Sequence, residues 1–172
     1  MFGLKSGMLK YSMENRQSLS GETGKIKIRL RLVIIKKDKL LAYYDSIDDY
    51  YFYIGGKLEF EETIEDGWKR EIKEELGDDV EFTFRKILYV RDFILKEKNE
   101  HSLELFILGD INKFMEIDER PDPEYGGKKW PKWLDLNNLP GNLYPKPLTR
   151  KILKDYNNDF PNSGEYIGRM DS

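Results

Sequence analysis

Gly55-Gly56-Lys57-Leu58-Glu59-Phe60-Glu61-Glu62, running on through Thr63 to Arg70-Glu71-Ile72-Lys73-Glu74-Glu75-Leu76-Gly77, is the stretch that decides how this chain is read. The β-prone run Tyr50-Tyr51-Phe52-Tyr53-Ile54 stops at the two glycines, and a helix is expected from Ile64 to Leu76. Thr63 stands as its N-cap with Asp66 three residues on, a shortened capping box, and Gly77 sits just past its end. At about 100° per residue, with Glu71 at zero, Glu75 lies near about 40° and Glu74 near about −60°, so three carboxylates share an arc of about 100°. Trp68, Ile72 and Leu76 make an apolar ridge beside them.

Stability alone disfavours this arrangement. Like charges on one helix face repel by roughly a few tenths of a kcal/mol per pair. The C-terminal end of the macrodipole adds to the cost. A hard divalent cation reverses the sign, because it needs clustered oxygens, and the glycines let backbone approach the same ion or a phosphate. The plain alternative is a solvated face laced with i,i+4 ion pairs. The spacing beyond the helix argues against it.

That spacing resembles the Nudix box, G-x5-E-x7-R-E-U-x-E-E-x-G-U, with Gly56, Glu62, Arg70, Glu71, Glu74, Glu75 and Gly77 at the fixed positions and Ile72 at the first apolar one. Seven such matches arise by chance on the order of once in 10⁷–10⁹ registers, taking each residue type at roughly one in ten to twenty. Trp133-Leu134-Asp135-Leu136-Asn137-Asn138-Leu139-Pro140 is similar to the segment that often follows the last strands of such domains, so the resemblance covers roughly residues 25–156. Departures are Asp78 at the final apolar position, with Val80 available to take over the packing, and Ile54 where a proline often stands. Gly67-Trp68 replaces the usual small pair before Arg70. Gly67 costs about 1 kcal/mol relative to Ala inside a helix, which points to close packing there.

The resemblance implies an α/β fold, an α/β/α sandwich around a mixed sheet. It implies hydrolysis of a diphosphate bond in a nucleoside diphosphate linked to another moiety: a nucleoside triphosphate, a nucleotide sugar or an ADP-ribose type compound. Glu71, Glu74 and Glu75 would be metal ligands, with the Gly56 carbonyl beside them, and one of the three would serve as base. Arg70 would orient a glutamate, and Glu62 would anchor the loop. The cofactor implied is Mg²⁺, with Mn²⁺ as the alternative. A further acid is expected from the long loop, where Asp118, Glu119, Asp122 and Glu124 compete and Glu124 is favoured; Glu104, on a strand, is the rival. Tyr43, Tyr44, Tyr50, Tyr51, Phe52 and Tyr53 are packing groups or base-stacking surfaces, and Arg29, Arg31 and Arg91 are possible phosphate contacts. A second reading is a nucleotide-binding Nudix domain that regulates without turnover. A third, an isomerase of isoprenoid diphosphates, would want a cysteine that this chain lacks.

Composition supports the same frame. The chain has 172 residues, one ordinary domain plus tails. An aromatic share of 13% argues against disorder. There is no cysteine and a single histidine, His101, so a bound metal must be held by oxygens, which favours Mg²⁺, Mn²⁺ or Ca²⁺ over zinc. His101 is read as structural or tied to a neighbour. A net charge of −3 argues against a polyanion binder, so specific DNA binding is not expected; the partner that the resemblance implies is a nucleotide-like small molecule. No run approaches the roughly 18 apolar residues of a membrane span, and the N-terminus has no signal-peptide core, so a cytoplasmic protein is expected. A homodimer stays open.

Residues 1–24 read as a polar, flexible tail, basic and running into an edge strand; 25–160 read as one domain, and 161–172 as a C-terminal tail. Lys25 to Leu32 alternates with period two, the pattern of a half-buried strand that returns from a turn at 36–39 through Leu40 to Tyr44. Residues 80–93 and 101–110 read as two strands joined by a charged turn. Asn112 to Lys132 reads as a long loop, and a last helix is expected from Pro147 to about Tyr156.

Overall fold

The alternation that begins at Lys25 becomes β1 (Ile26–Lys36) and turns at Lys37-Asp38, both at positive φ, into β2 (Lys39–Asp45). The computed structural model describes residues 25–122 and 125–170. The N-terminal tail and Glu124 therefore lie outside the described residues. β3 (Tyr50–Phe52) leads into the two glycines, followed by α1 (Ile64–Leu76), β4 (Phe82–Leu95), β5 (Glu100–Ile111), β6 (Lys129–Asp135), α2 (Lys146–Tyr156) and β7 (Glu165–Tyr166).

The sheet is mixed, in the order β3-β2-β1-β5-β4-β7, with β6 pairing β2. β1 runs parallel to β5 from Ile26 opposite His101 to Ile34 opposite Gly109, and β4 and β5 form a long antiparallel hairpin. Each face carries a separate core. Leu30, Leu32, Ile34, Leu41 and Ile107 pack with Ile72 and Leu76 of α1. Val33, Leu40, Ala42, Phe106 and Leu108 pack with Leu148 and Ile152 of α2 on the other face. This is the expected α/β/α sandwich around a mixed sheet.

Several expectations need correction. β1 is interior rather than an edge, because β5 covers one side and residues 54–58 the other. Ile26 and Ile28 are exposed, since α1 crosses β1 at Leu30 and leaves the start of the strand uncovered. The loop ends at Lys128, because 129–132 belong to β6. Pro131 is tolerated there because β6 pairs on one side only, with β2. The segment after Phe160 adds β7 beside β4. Val80 is buried and fills the apolar place that Asp78 leaves; Asp78 instead pairs with Lys73 at 2.9 Å.

Gly67 explains the close crossing. A Cβ at this position would stand 2.7 Å from Leu58 Cδ1 and 2.8 Å from Leu30 Cδ1. Gly67→Ala should therefore destabilise the protein by about 1 kcal/mol, overpacking outweighing the gain in helix propensity. Chemical denaturation checks this; an alanine variant more stable than the parent would mean that the crossing has slack.

Candidate active site

The site begins with a strand-like segment that is not a regular strand. Leu32 N–H donates to the Ile54 carbonyl at 2.8 Å, Leu30 N–H to Gly56 at 2.8 Å, and Leu58 N–H to the Ile28 carbonyl at 2.9 Å. Residues 54–58 are thereby stitched to β1. Gly55 has φ 117°, and a Cβ there would fall 2.4 Å from the Leu30 carbonyl oxygen. Only glycine fits.

α1 then brings its acids against this backbone. Thr63 caps the helix, accepting from Asp66 N–H at 3.1 Å, and Gly77 closes it at φ 110°. A Cβ on Gly56 would lie 2.5 and 2.7 Å from the two Glu71 carboxylate oxygens, so the acid packs directly on the glycine. Gly55 N–H donates to Glu75 Oε2 at 2.7 Å. Glu74 is turned outward.

Arg70 ties the loop to the helix. Its Nε and Nη2 donate to the two oxygens of Glu62 at 2.9 and 3.1 Å, and Nη2 also reaches the Lys57 carbonyl at 2.9 Å. Nη1 donates to Glu71 at 2.7 Å and Glu74 at 2.9 Å. Glu62 in turn accepts from Glu59 N–H at 2.9 Å. A planar guanidinium with five donors suits this task, where a lysine would not.

The inner carboxylates are crowded. Burial pushes Glu75 up to about 8, Gly55 N–H opposes that, Glu71 and Asp122 push further, and Arg31 pulls down. Burial likewise raises Glu71, which Arg70 holds back. Among the described residues no three acids converge at ligating distance, since Arg70 engages Glu71 and Glu74. The donor set itself, hard oxygens with a buried carboxylate kept from ionising by its neighbours, is chemistry that a hard divalent cation fits. The Gly56 carbonyl accepts from Leu30, leaving one lone pair for another partner.

Of the loop acids, Asp118 accepts from Trp133 N–H at 2.8 Å and Glu119 pairs with Lys132 in solvent. Among the described loop acids, Asp122 is the one aimed inward. It is buried, accepts from the Tyr43 phenol, and lies close enough to Glu75 to raise it. Glu104 is buried between Arg31, at 3.2 Å, and Arg91, at 2.5 Å. Sequence reasoning ranked Asp122 no higher than its neighbours. A usable signal was Tyr43, whose inward place on β2 leaves a buried hydroxyl in need of an acceptor.

A cleft of about 1060 Å³ opens on the α2 face, with Glu104 in its wall. Arg29, Arg31, Arg91 and Lys129 supply cations to its walls, and Tyr50, Phe52 and Phe93 supply rings. Of the aromatic run, Tyr43 and Tyr53 are core residues, and Tyr44 packs on Tyr51 and Trp130. His101 faces Asp92 at 3.6 Å. Arg31 joins cleft to acids: its Nη1 donates to the Gly55 carbonyl at 3.3 Å, one peptide unit from the N–H that holds Glu75.

No family model and no curated protein sequence matches the chain. Solved structures do. A MutT Nudix hydrolase from Burkholderia pseudomallei is similar with TM-score 0.58 at 20% identity, covering 76% of this chain and 97% of that one. The chain has the Nudix fold. An ADP-ribose pyrophosphatase from Streptococcus suis aligns with TM-score 0.53 at 23% identity over 84% of this chain and 98% of its own. A UDP-X diphosphatase aligns with TM-score 0.61 at 16% identity over 91% and 74%. Within this Nudix fold no helix among the described residues is long and apolar enough to cross a membrane.

The raised Glu75 carboxyl has a stability consequence in metal-free protein. The folded state holds the proton between the ordinary value of 4.5 and about 8, so this group's stabilisation is complete below 4.5 and is lost as pH climbs through about 8. Glu75→Gln, which mimics the protonated acid, should raise the melting temperature in EDTA at pH 8.5 and change it little at pH 5. Thermal melts at both pH values check this; an equal shift at both would remove the titration as its cause.

Proposed function

We propose that this chain is an Mg²⁺-dependent Nudix-type pyrophosphohydrolase that cleaves the diphosphate bond of a nucleoside diphosphate carrying a further group. The observation that carries the reading is the continuity of cleft, Arg31, Gly55 and Glu75. An aromatic and basic cleft suits a nucleoside and its phosphates, and Arg31 and Gly55 link that cleft to Glu75. Neighbours named as an ADP-ribose pyrophosphatase and a UDP-X diphosphatase support the class.

In this reading Glu71, Glu75 and, once freed from Arg70, Glu74 would hold the cation. Mg²⁺, or Mn²⁺ in its place, would there supply charge neutralisation for the diphosphate and activation of a water. The chain's own contributions are positional. Arg31 orients the diphosphate from the cleft side, and Arg70 holds the loop and helix in register. Asp122 serves as a loop acid, because it is buried within the electrostatic reach of Glu75. Tyr50 and Phe52 offer surfaces for a base.

A phosphate-release screen across nucleoside triphosphates, nucleotide sugars and ADP-ribose with Mg²⁺ tests this. Turnover of at least one class is expected, abolished by EDTA. Glu75→Gln should lower kcat by several orders of magnitude with the fold intact. Binding of nucleotides without turnover of any would favour a sensor instead, and full activity in EDTA would overturn the metal assignment.

A further inference from the structure

The C-terminal segment does more than cap a sheet edge. Gly164 N–H donates to the Ile87 carbonyl at 2.9 Å, Ile167 N–H to Val90 at 3.0 Å, and Asp92 N–H to Gly168 at 3.1 Å, so residues 164–168 lie along β4 as a strap. One residue further on, the Arg169 carbonyl accepts from Arg91 Nε at 2.9 Å. From there the polar contacts run on without a break. Arg91 Nη1 donates to Glu104 Oε2 at 2.5 Å, and Arg31 Nε donates to Glu104 Oε1 at 3.2 Å. Arg31 Nη1 then reaches the Gly55 carbonyl at 3.3 Å, and Gly55 N–H holds Glu75 at 2.7 Å.

We infer that Glu104 and the 164–169 strap are positioning elements of the anion subsite, fixing the Arg31 guanidinium at the mouth of the cleft in the orientation that receives a phosphate. This rests on the proposed function of the cleft. The geometry has a specific logic. A long arginine side chain carries much rotamer freedom, and holding it before a ligand arrives removes that cost from binding. Arg31 spends Nε on Glu104 and Nη1 on Gly55, so its torsions are set from two sides while the side chain remains part of the cleft wall. Glu104 itself is set from the far side by Arg91, with both side chains 5% exposed, and Arg91 is set by the strap. The role inferred for Glu104 is thereby support of arginines, where the sequence offered it as the rival to the loop for a further acid.

Charge and positioning predict opposite signs for one variant. Glu104→Gln removes a negative charge beside an anion site, which by Coulomb's law alone should tighten binding of a phosphate. If Glu104 positions Arg31, the same variant should weaken it. The probe is ADP without metal, titrated calorimetrically into the full chain. We expect Glu104→Gln to raise the ADP Kd about tenfold, the scale of one lost charge-assisted hydrogen bond. Ile167→Pro, which deletes the strap's bond to Val90, should act in the same direction with a smaller effect. Neither change should weaken binding further once Arg31→Gln is present, because all act through one guanidinium. Melting temperatures establish that each variant is folded; if Glu104→Gln is not, Ile167→Pro decides. Unchanged or tighter ADP binding by the folded variant overturns the inference while leaving the cleft assignment standing, provided that Arg31→Gln still weakens it. No ADP binding by the unaltered chain overturns both.

Discussion

Three backbone hydrogen bonds between β1 and residues 54–58 hold the Gly55-Gly56 peptide against the sheet, and the rest of the site hangs from that contact. The approach is too close for a side chain at Gly55. With Gly55 fixed there, its N–H faces Glu75 on α1 and its carbonyl faces Arg31 from the cleft. One residue, through the two peptide units that flank it, thus couples two elements on opposite faces of the sheet. Gly67 serves the same contact from the helix side, letting α1 settle onto Leu30 and Leu58 so that its acids reach the glycines. Loss of either close approach would lift the helix from the sheet before it touched any acid.

Two arginines manage the charge that this geometry concentrates. Arg70, on the outer side, spreads one guanidinium over Glu62, Glu71 and Glu74 and fastens the loop. Arg31, on the inner side, moderates both Glu71 and Glu75 while sharing its own charge with Glu104. The inner pair is left under-neutralised, because Asp122 adds another carboxylate to the same enclosure. A chain selected only for stability would have replaced one of these acids with an apolar group. Their retention in one enclosure is the physical reason to look for a cation there.

What the sequence disclosed followed the reach of the interactions involved. α1 was legible to the residue, because Thr63, Asp66 and Gly77 act within a turn of the helix ends they define. The β4–β5 hairpin and α2 were legible for similar reasons, through a charged turn and an N-terminal proline. Asp122 was only one acid of four until Tyr43, 79 positions away, supplied its partner. The Arg31–Glu104 pair spans 73 positions, and no local pattern distinguishes it from ordinary strand charges. β7 escaped notice because two residues in a polar tail carry no periodicity, and backbone bonds to β4 are what define it.

The period of two along β1 turns these separate contacts into one design constraint. Leu30 and Leu32 face α1, while Arg29 and Arg31, between and beside them, face the cleft. Parallel pairing with β5 sets Arg29 opposite Glu104 and Arg31 opposite Phe106, and the β4 register sets Arg91 opposite Glu104 from the other side. Glu104 therefore lies between the arginines of two neighbouring strands on the same face. A slip of one residue between β1 and β5 would bury the arginines under α1 and expose the leucines to the cleft. The apolar core under α1 and the basic wall of the cleft thus enforce the same register, so the packing that stabilises the fold also aims the side chains that meet the substrate.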